Sequence, residues 1–318
     1  MKNSQLKSVL VTGVGGDIGW NVIKCLKASG YKFQLVGCDI DSYAAGRYVA
    51  DNFAQAPKVS DNEDYFTFME KTIRKYRVGY IYPTTETEIQ FFDRHREYFD
   101  KSGLVVFVNN SFIVNTFTDK YDTMNFLNDN GIWHPTTFLI EDFDNQLDFP
   151  VVVKVRKGWG GKGLLVISDI EGVDLYKKRN TNAIVQEYIG TEDEEYTVGV
   201  FSNGIDVYSI CFRRYLGYGS LSKFVELVHS DEVAHIVETI ARASNLQGCM
   251  NVQFRKTAQG YVVFEINPRI SSTVYFRHVF GFQDVKWWLD MKLNKPIDYK
   301  LKYQKGIGVR TVEEVFFL

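Results

Sequence analysis

Cysteine is scarce in this sequence, and so is net charge. The four cysteines among 318 residues, Cys25, Cys38, Cys211 and Cys249, lie far apart and form no C-x-x-C pair. That spacing argues against a disulfide framework and against a thiolate metal site. The five histidines are dispersed without ligand spacing and receive no role. With 37 basic and 39 acidic residues the formal net charge is −2, which gives no electrostatic reason to expect nucleic acid or an acidic membrane as partner. Long apolar runs are missing too. The opening MKNSQLKSVLVTGVGG reaches its glycines after a very short apolar stretch, so neither a signal peptide nor a membrane span is expected there. Internal repeats and low-complexity linkers are absent, and 45% hydrophobic residues exclude disorder as a description of the whole chain. The expectation is a cytoplasmic α/β protein of about two domains.

What is present is organised in two styles. Short apolar runs at Val9–Val11, Gln34–Cys38, Val78–Tyr82 and Leu104–Val108 alternate with helix-like stretches at Trp20–Ala28 and Glu86–Phe99. Ser60-x-x-Glu63 fits a capping box opening a further helix with Phe66, Met69 and Ile73 at helical spacing. Such alternation predicts a parallel, doubly wound sheet. Beyond Asn109-Asn110-Ser111, a sequon that a cytosolic chain would not use, the pattern changes. A helix over about Asp119–Asn130 ends at Gly131, and strands follow near Thr136–Ile140, Val151–Val155, Leu164–Ile167, Ala183–Glu187, Glu194–Phe201 and Ile205–Arg213. A helix at about Asp231–Asn245 precedes a hairpin of Cys249–Arg255 and Tyr261–Ile266. This second part reads as α+β with mostly antiparallel pairing. Trp287-Trp288 reads as core.

Thr12-Gly13-Val14-Gly15-Gly16-Asp17-Ile18-Gly19 follows a strand and opens a helix, with Asp39 some 20 residues on where an acid could hold a ribose. A dehydrogenase reading needs a Tyr-x-x-x-Lys pair, and no tyrosine here has lysine four residues later. The glycines therefore serve a tight strand-to-helix turn first, and an NAD-binding module stays as an alternative.

The hairpin carries more chemistry. Glu265 and Asn267 are two apart and project on one face of an extended chain, and Gln253 on the partner strand faces them if the register suits. One carboxylate and two amide oxygens suit Mg²⁺ or Mn²⁺, and phosphate oxygens would have to complete the shell. Lys154 lies on an apolar strand before Lys157-Gly158-Trp159-Gly160-Gly161-Lys162-Gly163, a loop suited to covering phosphates. Gln186-Glu187-Tyr188-Ile189 ends a strand in a form able to flank an adenine, and Glu195 could accept from ribose hydroxyls. Glu86 could face a cleft between domains and touch an amine, or be a helix N-terminal acid. Arg277 and the Arg213-Arg214 pair could hold a substrate carboxylate or be surface salt bridges.

The order of these segments resembles the ATP-grasp superfamily, in particular the synthetase halves of the carbamoyl-phosphate synthase large subunit. The likeness rests on Asp119-Lys120, Phe149-Pro150 through Lys154, the loop to Gly163, Gln186–Ile189, Glu195-Tyr196, Asn251–Phe254 and Glu265–Arg269, and it covers essentially the whole chain. It implies a Rossmann-like pre-ATP-grasp domain over 1–112 and an ATP-grasp domain over 113–318, with a mobile lid subdomain at roughly 135–186. By the same resemblance Lys120 and Lys154 hold ATP phosphates beneath the loop of Gly158, Gly160, Gly161 and Gly163. Glu187, Tyr188 and Ile189 take the adenine and Glu195 the ribose. Gln253, Glu265 and Asn267 hold two magnesium or manganese ions with Glu265 bridging, and Arg269 steadies the transferring phosphoryl group.

The implied activity is an ADP-forming carboxylate–amine ligase acting through an acyl phosphate, with small-molecule substrates; a homodimer is compatible with it. The synthase has arginines where Lys120 and Lys154 stand. A chain of this length is expected to hold one ATP-grasp unit without a second half, which counts against a complete large subunit. A carboxy- or carbamoyl-phosphate former and a non-catalytic ATP-binding protein remain as alternatives.

Overall fold

A computed structural model describes residues 8–158, 163–217, 221–311 and 315. The first part runs β1 (Ser8–Thr12), α1 (Asp17–Ala28), β2 (Leu35–Asp39), α2 (Gly46–Val49), β3 (Asn52–Gln55), α3 (Asn62–Tyr76), β4 (Val78–Tyr82), α4 (Glu86–Arg94), α5 (Arg96–Lys101) and β5 (Val105–Val106). Its five strands form a parallel sheet in the order β3-β2-β1-β4-β5. Helices α6 (Ser111–Thr118) and α7 (Lys120–Asp129) lead to a four-stranded antiparallel sheet, ordered β6-β9-β7-β8, made of β6 (Thr137–Leu139), β7 (Val151–Val155), β8 (Leu165–Ile167) and β9 (Ala183–Glu187), with helix α8 (Ile170–Lys177) connecting β8 to β9. The remainder is β10 (Glu195–Asn203), β11 (Val207–Leu216), β12 (Ser222–Val228), α9 (Asp231–Ala243), β13 (Gln247–Thr257), β14 (Gly260–Asn267), α10 (Val274–Val279), α11 (Asp284–Lys292) and β15 (Ile307–Val309). Its strands make a six-stranded antiparallel sheet ordered β14-β13-β10-β11-β12-β15.

Three local expectations are corrected. Ser60 caps nothing: α3 takes Asp61 as N-cap without a side-chain bond, so Glu63 falls at the second helical position, one short of where it could fold back. The capping box forms instead at α4, where Thr85 accepts from the Glu88 amide and the Glu88 carboxylate bonds the Thr85 amide. The stretch Glu86–Phe99 is two helices broken at His95, after which Arg96 bonds Asp93 and the Asn109 carbonyl. The strand expected at Leu104–Val108 is limited to Val105–Val106.

Gly19 of the glycine motif is required by packing. A methyl group on Gly19 would run into the Gly13 backbone, so α1 can lie close to the β1 turn only with glycine there. Thr12 donates to the buried Glu88 carboxylate at 2.7 Å, and Gly15 N–H donates to Asp39 at 2.7 Å. The acid that could hold a ribose bonds the backbone of its own loop, taking Gly15 N–H on one oxygen and Asp41 N–H on the other.

The first sheet docks on the large one through a shared core that joins Val22, Ile23 and Leu26 of α1 to Phe201, Phe282, Trp287 and Trp288. Tyr82 donates to the Val285 carbonyl at 2.8 Å, and the buried Asn109 amide donates to the Cys249 and Pro268 carbonyls at 2.7 and 3.0 Å. The carboxyl ends of β1 and β4, the edge where open α/β sheets bind ligands, thereby face the end of the β13–β14 hairpin.

Candidate active site

Strand β7 lies inside the four-stranded sheet, with Val151 and Val153 buried in its small core. Period-two alternation sends Lys154 to the opposite face, where it is also buried. Burial lowers its ammonium to a pKa of about 8; the Glu265 carboxylate pulls upward, and Lys120 and Arg255 push down. The folded state thus holds this proton less readily than the unfolded chain. Charging Lys154 costs stability below about pH 8, and the cost is relieved as pH rises toward its ordinary value of 10.5.

Lys120 opens α7. Its neighbour Asp119 caps that helix, accepting from Tyr121 N at 3.0 Å, and takes a two-pronged bond from Arg156 at 3.0 and 2.8 Å. This ties the end of β7 to the head of α7. The Lys120 ammonium donates to the Gly158 carbonyl at 2.8 Å, at the start of the glycine loop. Gly160 and Gly161 lie outside the described residues. Gly163, with φ +73°, accepts from Tyr176 through its carbonyl.

At the other end of the site, Glu187 closes β9 and its carboxylate accepts from Thr136 N at 3.1 Å. The Arg255 guanidinium lies over the Tyr188 ring, 5.6 Å from its centroid, and donates to the Ile189 carbonyl at 3.0 Å. Glu195 is buried between two guanidiniums: Arg214 donates to Oε1 at 3.0 and 2.7 Å, and Arg255 lies 3.4 Å from Oε2.

The hairpin register sets Gln253 opposite Glu265 and Asn251 opposite Asn267, with a bulge just after Gln253. The Asn267 amide donates to Glu265 at 2.9 Å, while its own oxygen accepts from Arg269 at 3.1 Å. Arg269 also reaches Glu86 in the first domain at 3.0 Å. Burial raises Glu86 above the usual carboxylate range against the pull of Arg269. Glu265 is half-buried, which pushes its pKa up, but Lys154 and Lys120 pull harder and hold it below the ordinary value. Glu86, Lys120, Gly158, Glu265 and Asn267 line one pocket. Among the described residues no three His, Cys, Asp or Glu side chains cluster as a metal site. The oxygen set at Gln253, Glu265 and Asn267 fits a hard divalent ion, provided that phosphate supplies further charge.

These strand orders, register and pairings match a known architecture. A family model described as "ATP-grasp in the biosynthetic pathway with Ter operon" matches residues 179–315, and one described as "PylC-like, N-terminal domain" matches residues 9–107. The biotin carboxylase domain of the Hydrogenobacter thermophilus 2-oxoglutarate carboxylase, solved with MgADP, ADP and bicarbonate, superposes with a TM-score of 0.74 over 94% of this chain and 72% of that one, at 15% identity. The chain has the ATP-grasp fold. Its curated relatives include the carbamoyl phosphate synthase large chain of Buchnera aphidicola, 20% identical over 284 residues, and the carbamoyl-phosphate synthase of Methanobrevibacter smithii, 25% identical over 190 residues. These alignments cover 80% and 55% of this chain but 25% and 52% of the relatives, so the chain spans between a quarter and about half of their length. No helix among the described residues is long and apolar enough to cross a membrane.

Within the ATP-grasp frame two readings change. Arg277 is neither a carboxylate receptor nor a surface pair: it is fully buried, bonded to Asp284 at 2.8 Å and to Ser271 and Thr273 at 2.8 and 3.0 Å. Arg213 and Arg214 separate, Arg213 pairing with Glu226 at the surface and Arg214 entering the site. Arg255 went unnoticed in the sequence, although its place two residues after Gln253 put it on the same strand face.

Proposed function

We propose that this protein is an ATP-dependent ligase that phosphorylates a small carboxylic acid and joins the resulting acyl phosphate to an amine, releasing ADP and phosphate. The observation that carries the reading is that Lys120, Glu265, Asn267 and Glu86 converge on one pocket beside Lys154. In this reading Lys120 and Lys154 hold the phosphates under the loop of Gly158 to Gly163. Glu187, Tyr188 and Ile189 flank the adenine, and Glu195 borders the ribose. Gln253, Glu265 and Asn267 would hold Mg²⁺ or Mn²⁺, which when bound neutralises charge on the phosphate oxygens. A carboxylate oxygen attacks the γ-phosphorus, and the bond to the ADP oxygen breaks. The amine then attacks the carbonyl carbon, loses a proton and expels phosphate. Arg269, which already grips the Glu86 carboxylate, is suited to the carboxylate and phosphoryl oxygens, and Glu86 to the amine. The protein is read as cytoplasmic, with small-molecule partners.

ADP release from Mg-ATP across a panel of carboxylic acids, with hydroxylamine trapping acyl phosphates, tests this. One acid is expected to yield both ADP and a hydroxamate. ATP binding without ADP from any acid contradicts it and favours a non-catalytic nucleotide-binding protein. The likeness to a bicarbonate-bound carboxylase and to two carbamoyl-phosphate synthases supports a second reading, in which bicarbonate is the only active acid.

The low pKa of Lys154 predicts a pH effect with a fixed sign. The ammonium is present below about 8 and lost above it, so nucleotide affinity should be level at lower pH and then fall by up to about tenfold per unit. Lys154→Arg, which stays charged, should abolish the fall. A binding titration across this range checks both, and an equal fall in the arginine variant contradicts the assignment.

A further inference from the structure

The three oxygens suited to a divalent ion are not equally free. Asn267 Oδ1 accepts from Arg269, a guanidinium at the pocket that divides its bonds among Asn267, Glu86 and the Ile270 carbonyl. Gln253 Oε1 accepts from Arg214 at 2.5 Å, and Arg214 has no such latitude. Its side chain is 8% exposed and gripped through Nε and Nη2 by Glu195 on the neighbouring strand. Glu195 also faces Arg255, so two guanidiniums share one buried carboxylate and the group carries an excess positive charge. Guanidinium does not deprotonate in proteins, and turning the Gln253 amide over would set its NH₂ against the N–H donors of Arg214. The oxygen is therefore held against a permanent, immobile cation in a medium that screens charge poorly.

We propose that Arg214 is a positioning residue acting as a resident cation, which makes the Gln253 side of the ion site weak while the Glu265–Asn267 side binds first. This rests on the nucleotide-and-ion reading above. A divalent ion touching Gln253 must stand beside a like charge that cannot move away, whereas Glu265 draws an ion with its own negative charge. The consequence is a demand for free divalent ion beyond the amount that accompanies the nucleotide.

The test is Mn²⁺ binding to the full chain saturated with a non-hydrolysable ATP analogue, following free Mn²⁺ by electron paramagnetic resonance. In R214M the weaker Mn²⁺ is expected to bind at least tenfold more tightly than in the wild type. R214K keeps the charge and is expected to stay near the wild-type affinity, which a purely structural role would not produce. R214Q removes the charge but keeps a polar side chain for Gln253 and Glu195, and it should share the R214M affinity, so misfolding of R214M alone does not decide the matter. Unchanged or weaker binding in both uncharged variants overturns the inference, as does R214K behaving like R214M. Failure of the wild type to bind the analogue at all overturns this inference and the proposed function together; analogue binding with Mn²⁺ affinity indifferent to Arg214 overturns this inference alone.

Discussion

Glu265→Gln is expected to lower ADP formation by on the order of 10³-fold while leaving the fold intact. Glu265 is the one carboxylate among the three oxygen side chains at the end of the hairpin, and it is the group toward which Lys154 and Lys120 direct their charge. Glutamine keeps the shape and the bond from Asn267 but removes the negative charge. A divalent ion held there as proposed would lose its one charged protein partner, and two lysines lose the carboxylate that offsets them. The Lys154 pKa should drop further below about 8, since the group that pulls it upward is gone. Steady-state ADP release at increasing Mg²⁺, with circular dichroism as the control for folding, measures this. Turnover within a few-fold of wild type at ordinary Mg²⁺ would remove Glu265 from the site.

Asp284→Ala is expected to cost roughly 3–5 kcal/mol of stability. Asp284 and Arg277 are 1% and 0% exposed, and the alanine leaves a guanidinium buried without its counter-charge. Arg277 also holds Ser271 and Thr273, in the segment that follows Arg269, so the loss spreads toward the active site. Urea unfolding would register the cost. The double variant Asp284→Ala/Arg277→Met should recover much of it, because an apolar replacement of a buried pair is often close to neutral. A single variant as stable as wild type would mean that Arg277 finds another partner.

Local regularities carried most of what could be read in advance. Strand–helix alternation announced the parallel sheet, and the two-residue spacing of Glu265 and Asn267 set both side chains on one face before their partner strand was known. Pairings between distant elements left no such mark. Glu86 and Arg269 stand 183 positions apart, and nothing near either announces the other. Arg213 and Arg214 look interchangeable as neighbours, yet a strand sends them to opposite faces, one to the surface with Glu226 and one into the site with Glu195. Arg277 was misjudged for a related reason. Its burial depends on α10 and α11 packing beneath the large sheet, where Asp284 waits for it. The Ser60 capping box failed by one residue, which is enough to put Glu63 out of reach of the helix start.

The central claim is that a carboxylate becomes an acyl phosphate in this site, and oxygen transfer tests it most directly. With the acid that supports ADP formation labelled in its carboxylate with ¹⁸O, phosphate released during amide formation should carry one ¹⁸O atom, because the oxygen that attacked phosphorus leaves with it. Phosphate free of label, while ADP and the joined product still accumulate, would contradict the account.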